Sequence, residues 1–246
     1  GGGIDHIREL RCALADSSSG LEKPAAVIVE PIQAEGGVNV ASRQWLLAVQ
    51  ELAHENSALL IFDDIQAACG RTGSYFSFDG MDLSPDIICL AKGLGGYGTP
   101  LAMNLINPEY DRLWKPGEHT GTFRGQGLSF VAGAEAMSYI EDQNFMDDVK
   151  RKGAVMNDRL KSLVPVDAGP EIAVRGKGMI QGLDVGDGEK AGAIAGECFD
   201  RGLLIGPCGT GGRVLKLIPP LTIPDADLSE GLGIFADVVN RHLQEK

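Results

Sequence analysis

Three short apolar runs, each ending at or beside an ionisable residue, limit this chain more than any other feature. Residues 25–30 (AAVIVE) end in Glu30, residues 58–63 (ALLIFD) end in Asp63, and residues 87–91 (IICLA) are followed directly by Lys92. Apolar runs of this length, bounded by turn residues and lacking polar alternation, read as strands buried on both faces. Between the first two lies 42–56, where Trp45, Leu46, Val49, Leu52 and Ala53 recur at helical spacing behind Ser42 as an N-cap. Strand, helix, strand predicts a βαβ unit in an α/β fold with a mostly parallel central sheet. Active residues of such a sheet sit at the carboxyl ends of its strands. A fourth run, 101–106 (LAMNLI), adds another strand.

Farther along, residues 129–163 carry one long helical pattern, Ala132, Ala136, Tyr139 and Ile140 early and Val149, Val155 and Leu160 later, suited to bridging two lobes. From about Pro165 the character changes. Residues 172–185 alternate like a strand, 191–201 read as a helix, 214–218 as a short strand and 225–244 as a closing helix. The expected division is 1–160 as part of a large α/β domain and 161–246 as a smaller C-terminal α+β domain.

Composition excludes several classes. A formal charge of −12 leaves no basic face for a nucleic acid backbone. No apolar run approaches the roughly 20 residues that cross a bilayer, so no membrane partner is expected. The five cysteines are widely spaced without a CxxC pair, and the N-terminus is not signal-like, which predicts a reducing, cytoplasmic setting. The four histidines are scattered, and no metal site is expected. Glycine, 34 of 246 residues, is about twice its usual share, a pattern of many functional loops on a rigid scaffold.

Lys92 exits a buried strand into glycines (AKGLGGYG, 91–98). Burial there would lower the pKa of its amine and supply the neutral nucleophile that forms a Schiff base with an aldehyde cofactor; the alternative is a surface lysine at a strand exit. Gly93, Gly95 and Gly98 also satisfy GxGxxG, but the strand-like LAMNLI follows where a dinucleotide site needs a helix. Asp63 and Asp64 are adjacent, hence on opposite faces, so one of them faces a site and the pair is not an acid/base dyad. A carboxylate at this edge either keeps a pyridine nitrogen protonated or caps the following turn.

Six ordered blocks carry a family resemblance: EPIQAEGG (30–37), FDDIQAACGRTG (62–73), PDIICLAKGLGGYG (85–98), HTGTFRGQ (119–126), VRGKGM (174–179) and LKLIPPLT (215–222). Together they resemble the class III pyridoxal-phosphate aminotransferases, and DDIQAACGRTG with KPGEHTGTFRGQ looks most like the diaminobutyrate:2-oxoglutarate aminotransferases of ectoine biosynthesis. The resemblance implies fold type I of the pyridoxal-phosphate enzymes. It implies Lys92 as the lysine bound to pyridoxal 5'-phosphate and as the later proton shuttle, Asp63 as the partner of the pyridine nitrogen, and Gln66 as the hydrogen-bond partner of the ring's phenolic oxygen. Thr122 matches the threonine that touches the cofactor phosphate of a neighbouring subunit, which implies a homo-oligomer, at least a dimer with shared sites. Glu35 matches the glutamate that covers or releases a substrate-binding arginine, so that one site accepts both an ω-amine and an α-carboxylate.

The sequence departs from that family twice. The block RLLPPL reads KLIPPL here, placing Lys216 where the family has the arginine; a lysine supplies charge but no bidentate fork. Arg213 lies nearby, and Arg124 reads as a surface ion-pairing residue. The family also carries, upstream of the first block, a glycine-rich turn and helix N-terminus for the cofactor phosphate and an aromatic residue that stacks on the ring. The chain opens GGGIDHIREL without these and without Met, and reads as a piece of a longer protein. The implied reaction moves the amino group of L-glutamate to L-aspartate 4-semialdehyde. The alternatives are another ω-amine substrate (ornithine, 4-aminobutyrate, or diaminobutyrate for a siderophore or polyamine) and an inert fragment that holds no cofactor.

Overall fold

The computed structural model describes residues 2–96, 98–166 and 169–244; Tyr97 of the glycine-rich segment lies outside them. In chain order the elements are α1 (Gly2–Ala15), β1 (Ala26–Val29), β2 (Ile32–Gln33), β3 (Asn39–Val40), α2 (Arg43–Glu55), β4 (Leu59–Asp63), β5 (Ile87–Leu90), β6 (Met103–Ile106) and α3 (Pro108–Asp111). There follow α4 (Gly127–Glu141), α5 (Gln143–Lys161), β7 (Ile172–Lys177), β8 (Ile180–Val185), α6 (Gly188–Asp200), β9 (Gly206–Cys208), β10 (Val214–Leu217) and α7 (Asp225–Gln244). They form two compact units, Gly1–Pro31 with Ala41–Gln66 and Phe78–Ser138, and Ile32–Val40 with Ala67–Ser77 and Tyr139–Lys246.

The first unit is built on a sheet of order β1-β4-β5-β6, parallel from β1 to β5, with β6 antiparallel at the edge. The Ser42 side chain accepts the Trp45 N–H at 3.1 Å and starts α2. Helix α2 packs against β1 and β4 and buries Leu46, Val49, Leu52 and Ala53. Phe62 of β4 is fully buried and meets Phe78 edge-on at 4.8 Å, a burial that stabilises by about 1.5–3 kcal/mol. The strands are not buried on both faces as their composition predicts. Leu60 and Phe62 are fully buried, whereas Leu59, Ile61 and Asp63 between them are half-buried and Ile28 is 61% exposed. One face of the sheet carries the core; the row Ile28, Ile61, Ile87 lacks full cover among the described residues.

The long helical pattern of 129–163 resolves into two helices. Asp142 accepts the Asn144 N–H at 2.9 Å and caps α5, because a short carboxylate there competes with helix continuation for the backbone donor. Helix α5 belongs to the second unit, together with Ile32–Val40, Ala67–Ser77 and the rest of Tyr139–Lys246.

The second unit carries an antiparallel sheet of order β7-β8-β10-β9 and the two-stranded β2–β3 ribbon. The alternation at 172–185 is a hairpin rather than one strand. It turns at Gly178 (φ 58), where a Cβ would come within 2.6 Å of the Thr72 backbone. Helix α6 is capped by Asp187, which accepts the Lys190 N–H at 2.8 Å. Val149 and Met156 of α5, Ile194 of α6, Phe235 and Val239 of α7, and Leu183 and Leu215 of the sheet form one core. Every residue of β8 and β10 is buried. Each of the five cysteines is a free thiol, and no helix among the described residues is long and apolar enough to cross a membrane.

Candidate active site

The residues singled out in the sequence divide between the units. In the first, β4 and β5 are parallel, so their carboxyl ends share one edge of the sheet. Asp63, the last residue of β4, stands in register with Cys89, and the Asp64 N–H donates to the Cys89 carbonyl at 3.1 Å. Lys92 follows Cys89 by three residues, two beyond the end of β5, so both residues belong to the carboxyl edge of neighbouring parallel strands. The two adjacent aspartates face opposite ways: Asp64 is 1% exposed and Asp63 half-buried. Asp63 Oδ1 accepts the Ile65 N–H at 3.1 Å, so the turn-capping role is realised; Oδ2 has no hydrogen-bond partner among the described residues. Gln66 is half-buried in the turn that follows β4.

Lys92 departs from expectation. It is exposed, so the desolvation inferred from a strand exit is absent. The backbone explains why. Lys92 has φ 49 and opens the short 3₁₀ turn Lys92–Gly95, which lifts the side chain off the strand. This left-handed conformation costs an L-residue about 1–2 kcal/mol and persists where its surroundings over-determine it. Buried Leu94 anchors the turn. Gly96 (φ 64) closes it against α4, where a Cβ would lie 2.9 Å from the Ala132 carbonyl oxygen. Among the described residues no helix follows these glycines before β6, so the strand-turn-helix context of a dinucleotide fingerprint is not met.

Cys89 was not visible to sequence reasoning as a site residue, because its place beside Asp63 depends on strand register. Burial and the neighbouring Asp63 charge push its thiol pKa up. Thr122 lies in an exposed turn before α4, beside Phe123, which is 92% exposed. Arg124 is exposed and makes no ion pair among the described residues, contrary to the surface salt bridge expected of it.

In the second unit, Glu35 sits in the β2–β3 loop and Lys216 on β10, 181 residues apart in sequence, and the structure pairs their side chains. Lys216 is nearly buried and Glu35 largely exposed, so the charge pair has one face open to solvent. The Glu35 carbonyl accepts the Gly209 N–H at 2.9 Å. Arg213 does not join this pair: its Nε and Nη2 donate to the fully buried Asp184 at 3.1 and 2.9 Å. Asp184 has a second cationic partner in Arg175. Arg175 belongs to VRGKGM, and nothing in that block alone signals the contact.

A family model described as aminotransferase class-III matches residues 7–239. A diaminobutyrate–2-oxoglutarate transaminase of Halomonas elongata is 46% identical over 235 residues, 94% of this chain and 55% of that protein. One from Sporosarcina pasteurii is 40% identical over 247 residues, 100% of this chain and 57% of that protein. The ornithine aminotransferase of Toxoplasma gondii ME49 matches with a TM-score of 0.84 at 29% identity, over 99% of this chain and 56% of that one. The N-acetylornithine aminotransferase of Stenotrophomonas maltophilia K279a matches with a TM-score of 0.80 at 30% identity, over 98% and 61%. The chain therefore spans little more than half the length of these curated relatives. With the fold type I architecture, the family model and the sequence identity in agreement along nearly its whole length, the chain belongs to the class III aminotransferases.

Proposed function

We propose that this chain carries the lysine face of a pyridoxal 5'-phosphate-dependent aminotransferase that moves the amino group of L-glutamate to L-aspartate 4-semialdehyde, as in ectoine biosynthesis. The observation that supports it best is the parallel register that sets Asp63 beside Cys89, three residues before Lys92, at the carboxyl edge of the sheet. These residues fit the cofactor: Asp63 keeps one carboxylate oxygen open, Gln66 lies three residues farther on, and Lys92 is held on a strained turn with its amine exposed. Pyridoxal phosphate, when bound, supplies an aldehyde to take up the amino group and a cationic ring that withdraws electrons from the reacting bond.

The residues then divide the work. Asp63 would hold the pyridine nitrogen through Oδ2 and favour its protonated form, and Gln66 would donate to the ring's phenolic oxygen. Lys92 Nζ, once its amine is free, would take the proton from the Cα of the amino donor and hold it for return. Lys216 offers its charge to the α-carboxylate of glutamate and Glu35 competes for it, so that a substrate without that carboxylate meets a pair already neutralised. Thr122 would hold the cofactor phosphate of a second copy. The exposed Phe123, Leu128 and Val131 around it support that homodimer, since exposed apolar side chains in such number mark an interaction surface. The free thiols fit a cytoplasmic setting.

The test is to incubate the chain with pyridoxal phosphate, reduce with borohydride and locate the modified peptide. Attachment at Lys92, with loss of an absorbance band near roughly 410–430 nm, is expected. No attachment overturns the cofactor reading. Rates with a panel of donors and aldehydes test the substrate pair, and indifference to aspartate 4-semialdehyde rejects it in favour of another ω-amine.

A further inference from the structure

Glu35 meets Lys216 only while the loop that carries it keeps its shape, and that shape works against the loop's own backbone. Val38 has φ 54, an unfavourable conformation for a β-branched residue, yet it is fully buried. Gly37 (φ 115) has the Gly209 backbone and Arg175 Nη1 within 3.3 and 3.4 Å of where a Cβ would be. Such a loop holds only where its surroundings over-determine it.

One side chain does most of the holding. Arg175 Nη1 donates to the Gly37 carbonyl at 3.2 Å and to Asn39 Oδ1 at 2.9 Å, while its Nη2 donates to Asp184. Asp184 is fully buried and fixed in turn, with Oδ2 shared by Arg213 and Oδ1 accepting the Gly186 N–H at 3.0 Å. Strand register puts Arg175, Gly182 and Lys216 in one row on one face of the sheet. Val38 lies over the glycine between the two cations, 2.9 Å from where a Cβ at Gly182 would be.

We propose that Arg175 is a positioning residue that, fixed by Asp184, sets residues 37–39 so that Glu35 reaches Lys216. Both Nη1 donors and one Nη2 donor are committed to loop and carboxylate. The fork matters because the acceptors are served from two separate nitrogens, two from Nη1 and one from Nη2, whereas a lysine ammonium donates from a single point. The consequence for choice between glutamate and the ω-amine rests on the proposed role of Glu35 and Lys216; the placement of Glu35 does not.

The experiment is acylation of the full chain by acetic anhydride, following Lys216 by mass spectrometry relative to exposed Lys161. In Arg175→Gln and Arg175→Lys, Lys216 becomes labelled about tenfold faster, the change expected when a charge-assisted hydrogen bond is removed. In Arg213→Gln, which touches Asp184 but not the loop, the rate stays within about twofold of wild type. Melting curves confirm that each variant is folded, and Arg175→Lys, which keeps the charge, covers the case in which Arg175→Gln unfolds. An unchanged rate in a folded Arg175→Lys, or an equal rise in Arg213→Gln, overturns the proposal. Aminotransfer on the same samples reads the other question: an inactive wild type with the labelling pattern intact sinks the functional reading and supports the clamp.

Discussion

The two sheets treat charge in opposite ways. In the parallel sheet of the first unit, ionisable residues stand where strands end: Asp63 is half-buried with one oxygen open, and Lys92 is exposed on a strained turn. In the antiparallel sheet of the second, they stand mid-strand and buried. Asp184 is 0% exposed between two arginines, and Lys216 lies under Glu35. Desolvating an ion costs several kcal/mol unless partners replace its water. Charges of the second kind are therefore used by the fold itself, and a ligand reaches them only by exchange. Charges of the first kind are open to a ligand because the fold makes little use of them.

Separating these two kinds of charge gives the largest expected effect. Lys92→Ala removes the amine and leaves packing untouched, so borohydride-fixed cofactor and aminotransfer are lost entirely, while stability in urea stays within about 0.5 kcal/mol of wild type. Lys92→Gly loses the same chemistry yet gains up to about 1 kcal/mol, because glycine adopts positive φ without strain. A large loss of stability in either variant would place Lys92 among the fold's own charges and erase the contrast.

Next in size is the reverse experiment. Asp184→Asn leaves two guanidinium groups facing a neutral amide. Breaking a buried pair by removing one partner costs about 3–5 kcal/mol. The lower end applies here, because Arg175 and Arg213 are 28% and 40% exposed and keep some water. Asp63→Asn, which keeps an acceptor for the Ile65 N–H, costs no more than about 1 kcal/mol in urea denaturation. Equal costs at the two positions would mean that the sheets do not differ in this respect.

What the sequence reveals follows the same division. The βαβ unit, the Ser42 cap and the strand ends at Asp63 and Lys92 are legible because each is set by neighbours within a few residues. The exposure of Lys92 is not, since it follows from a left-handed turn that the flanking glycines permit without specifying. The break at Asp142 is hidden for a related reason: apolar spacing continues through it, and only the cap hydrogen bond shows where one helix stops. In the second unit the informative contacts join residues far apart. Glu35 with Lys216 and Arg175 with Asn39 depend on strand register and loop placement, which no local pattern encodes. The family resemblance assigns a role to Glu35 and sets Lys216 in the place of its arginine partner; the structure shows the two side chains paired and adds the arginine that holds the loop.

The smallest expected effect concerns thiols. Burial pushes the Cys198 thiol in the core of the second unit from its ordinary value of 9.0 up to about 11. The folded chain thus keeps a proton that the unfolded chain releases above pH 9. Its contribution to stability is full below pH 9 and is lost progressively as pH rises toward 11. Cys89 in the first unit shifts in the same direction, but there the charge of Asp63 adds to burial, so part of its shift comes from a site residue. Urea midpoints measured from pH 8 to 11 should fall less steeply in Cys198→Ser than in wild type, whatever the offset between the two proteins at pH 8. Asp63→Asn should leave the Cys198 contribution unchanged and lower only the pH at which Cys89 reacts with a thiol reagent. If Asp63→Asn has no effect on Cys89, the two side chains are not electrical neighbours, and the register that places Asp63 beside the path to Lys92 loses its support.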